Sequence, residues 1–179
     1  LSAESAYLFR HALMRDAAYQ LQLPADRAIL HELALSAIET ALGGPPPVPG
    51  PNEMPGSDRW LPHRLDSVAA ELARHAALAL QHRGATTQTH DRLVAARLLY
   101  LHRAAGHAER QQALRSATGL WQELAAETNG KLAAMCLRRA ALNAEAGGDM
   151  KSAHELFGHA LVAYRAVGSR LNEGVVLGN

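Results

Sequence analysis

The last third of the chain opens with Gly147-Gly148 and then sets small and large apolar residues at helical spacing. Ala153, Leu156, Phe157, Ala160, Leu161 and Tyr164 fall at i, i+3, i+4, i+7, i+8 and i+11, one face of a 3.6-residue period. Moving back forty residues lays Ala113, Ala117, Leu120, Trp121 and Leu124 on Ala153, Phe157, Ala160, Leu161 and Tyr164. The same shift sets Met135, Cys136 and Leu137 against Val175, Val176 and Leu177. One helical hairpin of this length cannot cover its own apolar face, so the echo predicts hairpins stacked on one another. Composition agrees: 48% hydrophobic with only 4% aromatic suits close-packed helices and lacks the aromatic and β-branched weight of a β-sandwich. The expected fold class is all-α, antiparallel hairpins forming a short solenoid, with Phe157 and Trp121 as core anchors.

Gly148-Asp149, Ala153, Phe157, Ala160-Leu161, Tyr164, Val167-Gly168-Ser169-Arg170 and Leu177-Gly178-Asn179 carry a resemblance. Together they resemble the longer, roughly forty-residue variety of tetratricopeptide repeat. Ala153 and Ala160 stand where that family lets two helices approach closely, and Phe157 where it packs an aromatic. Ala141 and Ala144 stand where the family usually carries glycine and an aromatic, and Arg165 near its usual proline.

Upstream, Tyr7 to Tyr19 (Tyr-Leu-Phe-Arg-His-Ala-Leu-Met-Arg-Asp-Ala-Ala-Tyr), with Arg27, Leu30-His31 and Ile38-Glu39, is similar to a segment of large bacterial signalling proteins. In those proteins a nucleotide-binding ATPase module ends in a winged-helix part, and this segment leads into tetratricopeptide-like repeats. Leu98 to Gly106 also looks like the helix that precedes those repeats. The resemblance implies a non-catalytic regulatory scaffold for protein–protein interaction, cut from a bacterial signal-transduction chain. The partner would be a protein, a peptide or a neighbouring domain of the parent. The stretch 1–179 begins at Leu1 without methionine and ends early in a helix, and is expected to be such a piece. No G-x-x-x-x-G-K-[ST] loop occurs in the sequence, so ATP binding does not carry over to it.

Three regions are expected: a helical hairpin over 1–42, a Pro/Gly-rich flexible connector over 43–60, and tetratricopeptide-like repeats over 61–179. The first region holds a helix over 8–22 and a second from Pro24 to about Leu42, where Pro24 suits a first turn and Gly43-Gly44 a stop. Pro45-Pro46-Pro47 and Pro49, Pro51 and Pro55 exclude helix from the connector; a ligand for a proline-recognising domain is its sharper reading. Further helices are expected from Leu61 to near Arg83, Asp91 to Arg110 with Thr89 as N-cap, and Gln111 to about Ala126. Others follow over Lys131 to Ala146 and Met150 to Val167, with another starting at Leu171.

Net charge is +1, so no global field favours nucleic acid or an anionic membrane. The single Cys136 sits in a core-like run and reads as a buried structural thiol, which with no visible signal peptide suits the cytoplasm. Ten histidines raise the alternative of a metal protein or enzyme. His102/His107 and His154/His159 are spaced i, i+5, about 140° apart around a helix, whereas paired ligands need i, i+3 or i, i+4. Catalytic, cofactor and metal sites are therefore expected to be none. In the register of the family, a concave partner-binding side would include Leu98, His102, Arg138, Leu142 and Glu145. Val175, Val176 and Leu177 form the apolar face of the final helix and predict weak homodimerisation there. Asp16 and Glu39 are read as solvated carboxylates that could pair with Arg15 or Arg27.

Overall fold

A computed structural model describes residues 17–48, 61–81 and 85–178, and all regular structure among them is helical. Residues 17–20 are helical and lead to α1 (Pro24–Ala41), followed by a 3-10 turn at Arg64–Val68 and α2 (Ala69–Ala79). Then come α3 (Thr87–Arg110), α4 (Leu114–Glu127), α5 (Gly130–Ala146), α6 (Met150–Ala166) and α7 (Arg170–Leu177). Packing is sequential: each helix lies mainly against the ones before and after it in the chain, and the 3-10 turn also touches α3. Two- and three-residue links between packed helices force the chain to reverse, so α3 to α7 run antiparallel in turn. The calls over residues 1–16, including the start of the first helix, and over 49–60 lie outside the described residues.

The helix ends follow from local chemistry. Pro24 occupies the first turn of α1 after extended Leu23, where no N–H is needed. Gly43 and Gly44 close it in the left-handed region at φ 96° and 93°, and the Gly44 N–H donates to Glu39 O at 2.7 Å. Of the connector residues described, Pro46 is buried. Thr86, rather than Thr89, caps α3: its Oγ1 accepts the Thr89 N–H at 3.2 Å, so the helix starts a turn earlier than expected. Leu61 to His63 are not helical. His63 Nδ1 accepts the Leu65 N–H while Asp66 Oδ2 accepts the His63 N–H, and this reciprocal cap sets the 3-10 turn.

The turn that closes α1 recurs three more times. Ala113, Asp149 and Ser169 each donate a backbone N–H to a carbonyl five residues back, on Ala108, Ala144 and Tyr164, at 2.9, 2.9 and 3.0 Å. The residue before each donor is left-handed: Gln112 at φ 56°, Gly148 at 80° and Gly168 at 66°. The turn from α3 to α4 and that from α5 to α6 therefore lie 36 positions apart, Gln112 to Gly148, whereas α5 and α7 start forty apart, at 130 and 170. This corrects the sequence register for α4 and α6. Ala117, Trp121 and Leu124 correspond to Ala153, Phe157 and Ala160, and α6 is three residues longer than α4.

The core is built from small residues and a few large anchors. Ala104, Ala105, Ala140, Ala141, Ala144, Ala153 and Ala160 are buried, and Trp121, Tyr100 and Tyr164 are the largest side chains wholly enclosed. Phe157 is only half-buried, wedged against both the main cluster and a smaller one made by Ala134, Met135, Ala160, Tyr164 and Val176. Trp121 is the wholly enclosed anchor, whereas Phe157, expected in the core, only packs against its edge. Val176 is likewise turned inward, while Val175 and Leu177 stay exposed, because the α7 stripe faces Tyr164 across its neighbour. No described helix is long and apolar enough to cross a membrane.

Two stability outcomes follow from this packing. Trp121→Ala should cost about 3–5 kcal/mol in urea denaturation and Phe157→Ala distinctly less; equal losses would contradict the burial order. Gln112→Gly should raise stability by about 0.5–1 kcal/mol, since glycine enters the left-handed region freely; a loss would show that the turn does not need it.

Candidate functional site

The polar groups enclosed by the helices form a seam across α3, α4 and α5. Glu109, in the last turn of α3, projects its carboxylate into the angle between the next two helices. Trp121 of α4 donates its Nε1–H to Glu109 Oε1 at 2.7 Å. Arg139 of α5 donates Nε–H to the same oxygen at 3.1 Å and a second N–H to Oε2, a two-pronged pairing. Asn143 Nδ2, one turn further along α5, donates to Glu109 and to its own helix at Arg139 O, 2.8 Å. The Arg139 guanidinium also lies over the Trp121 ring, 5.9 Å from its centroid.

His102 completes the seam. Its ring meets Trp121 edge-on with centroids 5.3 Å apart, and the residue is only 8% exposed. Burial, with the positive charges of Arg103 and Arg139 behind it, pushes its pKa down to about 4. The imidazole is thus neutral near pH 7, suited to packing against the indole. Cys136 is fully buried and its thiol is pushed up to about 12 by that burial, which removes the thiolate that a nucleophile requires.

Further ties brace the same frame. Asp66 accepts from Arg103 Nε at 2.6 Å and from Arg110 Nη2 at 2.8 Å, and Arg103 also donates to Leu61 O at 3.0 Å. Arg97 spans from α3 to Glu123 and Glu127 of α4 and to Ala73 O of α2. Glu39 accepts the Tyr100 hydroxyl at 2.7 Å, and Arg27 lies over the Tyr19 ring. The carboxylate read as solvated thus joins α1 to α3, and Arg27 turns to an aromatic instead.

The five residues expected to face a partner lie on α3 and α5. Leu98, Arg138, Leu142 and Glu145 are half-buried, and Leu98 packs against the core. His102 is enclosed beneath Trp121. The α5 cation whose charge acts on His102 is Arg139, which, like Glu109 and Asn143, was not among the residues expected at the site. Arg138 Nε is buried and makes no hydrogen bond among the described residues. The i, i+4 pair Arg139/Asn143 was the one available sequence signal for the seam, and nothing in it pointed to Glu109. Among the described residues, no group of three or more His, Cys, Asp or Glu is placed to hold a metal ion. No family model, curated protein or solved structure matches the chain.

The sign of the acid response follows from His102. Its folded pKa, about 4, lies below the ordinary 6.5, so the unfolded chain binds more protons between those values. Its contribution is complete above about pH 6.5 and is lost as pH falls toward 4, roughly 3 kcal/mol in all. Urea denaturation from pH 7 to 4 should show about one proton less of slope in His102→Asn; an unchanged slope would place the titration elsewhere.

Proposed function

We propose that the chain is a non-catalytic scaffold of stacked tetratricopeptide-like hairpins that holds a protein or peptide, or a neighbouring domain of a bacterial signalling protein. The observation that carries this reading is the sequential packing of α3 to α7 through a recurring three-residue reversal. Such an array presents one helix of every pair to the same side, and so builds an extended binding surface from many small units. Leu98, Arg138, Leu142 and Glu145 are the residues of α3 and α5 assigned to that side, with His102 supporting them from beneath. Arg138 supports the assignment, because its buried Nε has no hydrogen-bond acceptor within the described chain and a partner's carbonyl or carboxylate would supply one. The Glu109 carboxylate, by contrast, takes its donors from Trp121, Arg139 and Asn143 and is assigned to holding the hairpins in register.

A photo-crosslinking amino acid placed at Leu142, in cells carrying the parent protein, should give a discrete adduct that Arg138→Glu abolishes while helix content is unchanged. The same group at Val162, exposed on α6, should give none. Adducts at 162 alone, or none at 142, would contradict the assigned side.

A further inference from the structure

The first helix is joined to the second by a chain of four polar side chains. Tyr19 Oη lies 2.9 Å from His31 Nε2, and His31 Nδ1 lies 2.8 Å from His75 Nδ1. His75 Nε2 is 3.7 Å from Glu71 Oε1. The two imidazole centroids are 4.9 Å apart and tilted by 53°, so the ring nitrogens meet head-on. His31 belongs to α1; His75 and Glu71 belong to α2.

Proton accounting allows two arrangements for the neutral rings, and Glu71 favours one of them. A contact between two Nδ1 atoms needs one hydrogen and one lone pair. The Glu71 carboxylate only accepts and stands 3.7 Å from His75 Nε2, which favours the His75 proton there and a bare Nδ1. His31 must then donate from Nδ1, which leaves its Nε2 to accept the Tyr19 hydroxyl. A first added proton can settle on His31 Nε2, with the Tyr19 oxygen turning from donor to acceptor. A second has nowhere to go: it would put N–H against N–H across the contact, between two cations.

The surroundings oppose that charge. Arg74 stands on α2 beside both rings, and Arg27 of α1 lies over Tyr19. Glu71 alone favours the cation on His75, from an exposed position. From α3, Arg92 is paired with Glu32 of α1 at 2.7 Å and Tyr100 with Glu39, so neither compensates the histidines. Both rings accordingly titrate below the ordinary histidine range, chiefly through burial. α1 is also tied by Ile38, packed against the core, and by the Glu32 and Glu39 contacts with α3. Ala28 and Leu35 are its buried apolar residues, while Ile29, Leu30 and Leu33 remain exposed.

We propose that the His31–His75 contact is an acid-released latch: charging both rings separates α1 from α2 and uncovers the surface around Leu35, while α3 to α6 stay folded. The sign follows from the shifts. Folded values below 6.5 mean that the latch is intact above about pH 6.5 and weakens as pH falls, the opening constant rising about tenfold per pH unit for each proton taken up.

Hydrogen exchange on the whole chain at pH 7.5 and 5.5, corrected for intrinsic exchange, tests this. Peptides from α1 should lose at least about tenfold in protection while those from α4 and α5 hold theirs. The variant His31→Asn with His75→Asn puts non-titrating amides at the Nδ1 positions and should keep α1 protected at both pH values. Equal changes in α1 and α5, or the same acid loss in the double variant, would overturn the proposal. Should that variant not fold, nitrogen NMR of the unmodified imidazoles decides. At pH 7.5 one ring must be the Nδ1–H tautomer and the other the Nε2–H tautomer, and two like tautomers reject the latch.

Discussion

The carboxylate of Glu109 is the point on which the central helices depend. It ends α3, receives the indole N–H of α4, and pairs with a guanidinium and an amide from α5. A half-enclosed carboxylate without those donors would be costly, because an unpaired charge keeps its desolvation penalty and loses its compensation. Three helices must therefore arrive together at one point, which fixes both the crossing of the hairpins and the sliding register between them. Trp121 connects this polar point to the apolar core. Its nitrogen faces Glu109, its face lies under Arg139, its edge meets His102, and the whole residue is enclosed.

Around that point, alanine does the spacing. Ala104, Ala105, Ala140, Ala141 and Ala144 are buried on the two helices that flank Trp121. Their small side chains let the helix axes approach closely enough for Arg139 and Glu109 to meet. Larger residues there would force the axes apart and leave the carboxylate short of its partners. The recurring turn acts at the same level, since each reversal delivers the next helix onto its predecessor with only two or three residues to absorb error.

Much of this was legible in the sequence because a 3.6-residue period of apolar residues needs no tertiary information. The glycine stops after α1 and α5, the proline start of α1 and the inward faces of Ala153, Leu156, Ala160 and Tyr164 all follow from local rules. The repeat register was less legible. It rests on a small–large apolar pattern with few identities, and the three extra residues of α6 set Phe157 against Trp121 rather than against Ala117. The cap moved from Thr89 to Thr86 because both threonines satisfy the local rule and only the helix they precede decides between them. The polar seam and the histidine pair were hidden for a different reason. Glu109 and Arg139 are 30 residues apart and His31 and His75 are 44 apart, so their pairing exists only once the helices are stacked.

On this account Glu109 and Arg139 act as one unit in holding α3, α4 and α5 in register. A double-mutant cycle measures this directly, using Glu109→Gln and Arg139→Met, which keep side-chain length and leave Trp121 covered. Urea unfolding of the four proteins should give a coupling above about 1 kcal/mol, with the double variant more stable than the two single losses combined would make it. Additive losses, within about 0.5 kcal/mol, would show that the carboxylate and the guanidinium do not depend on each other and that the stack is held by its apolar core alone.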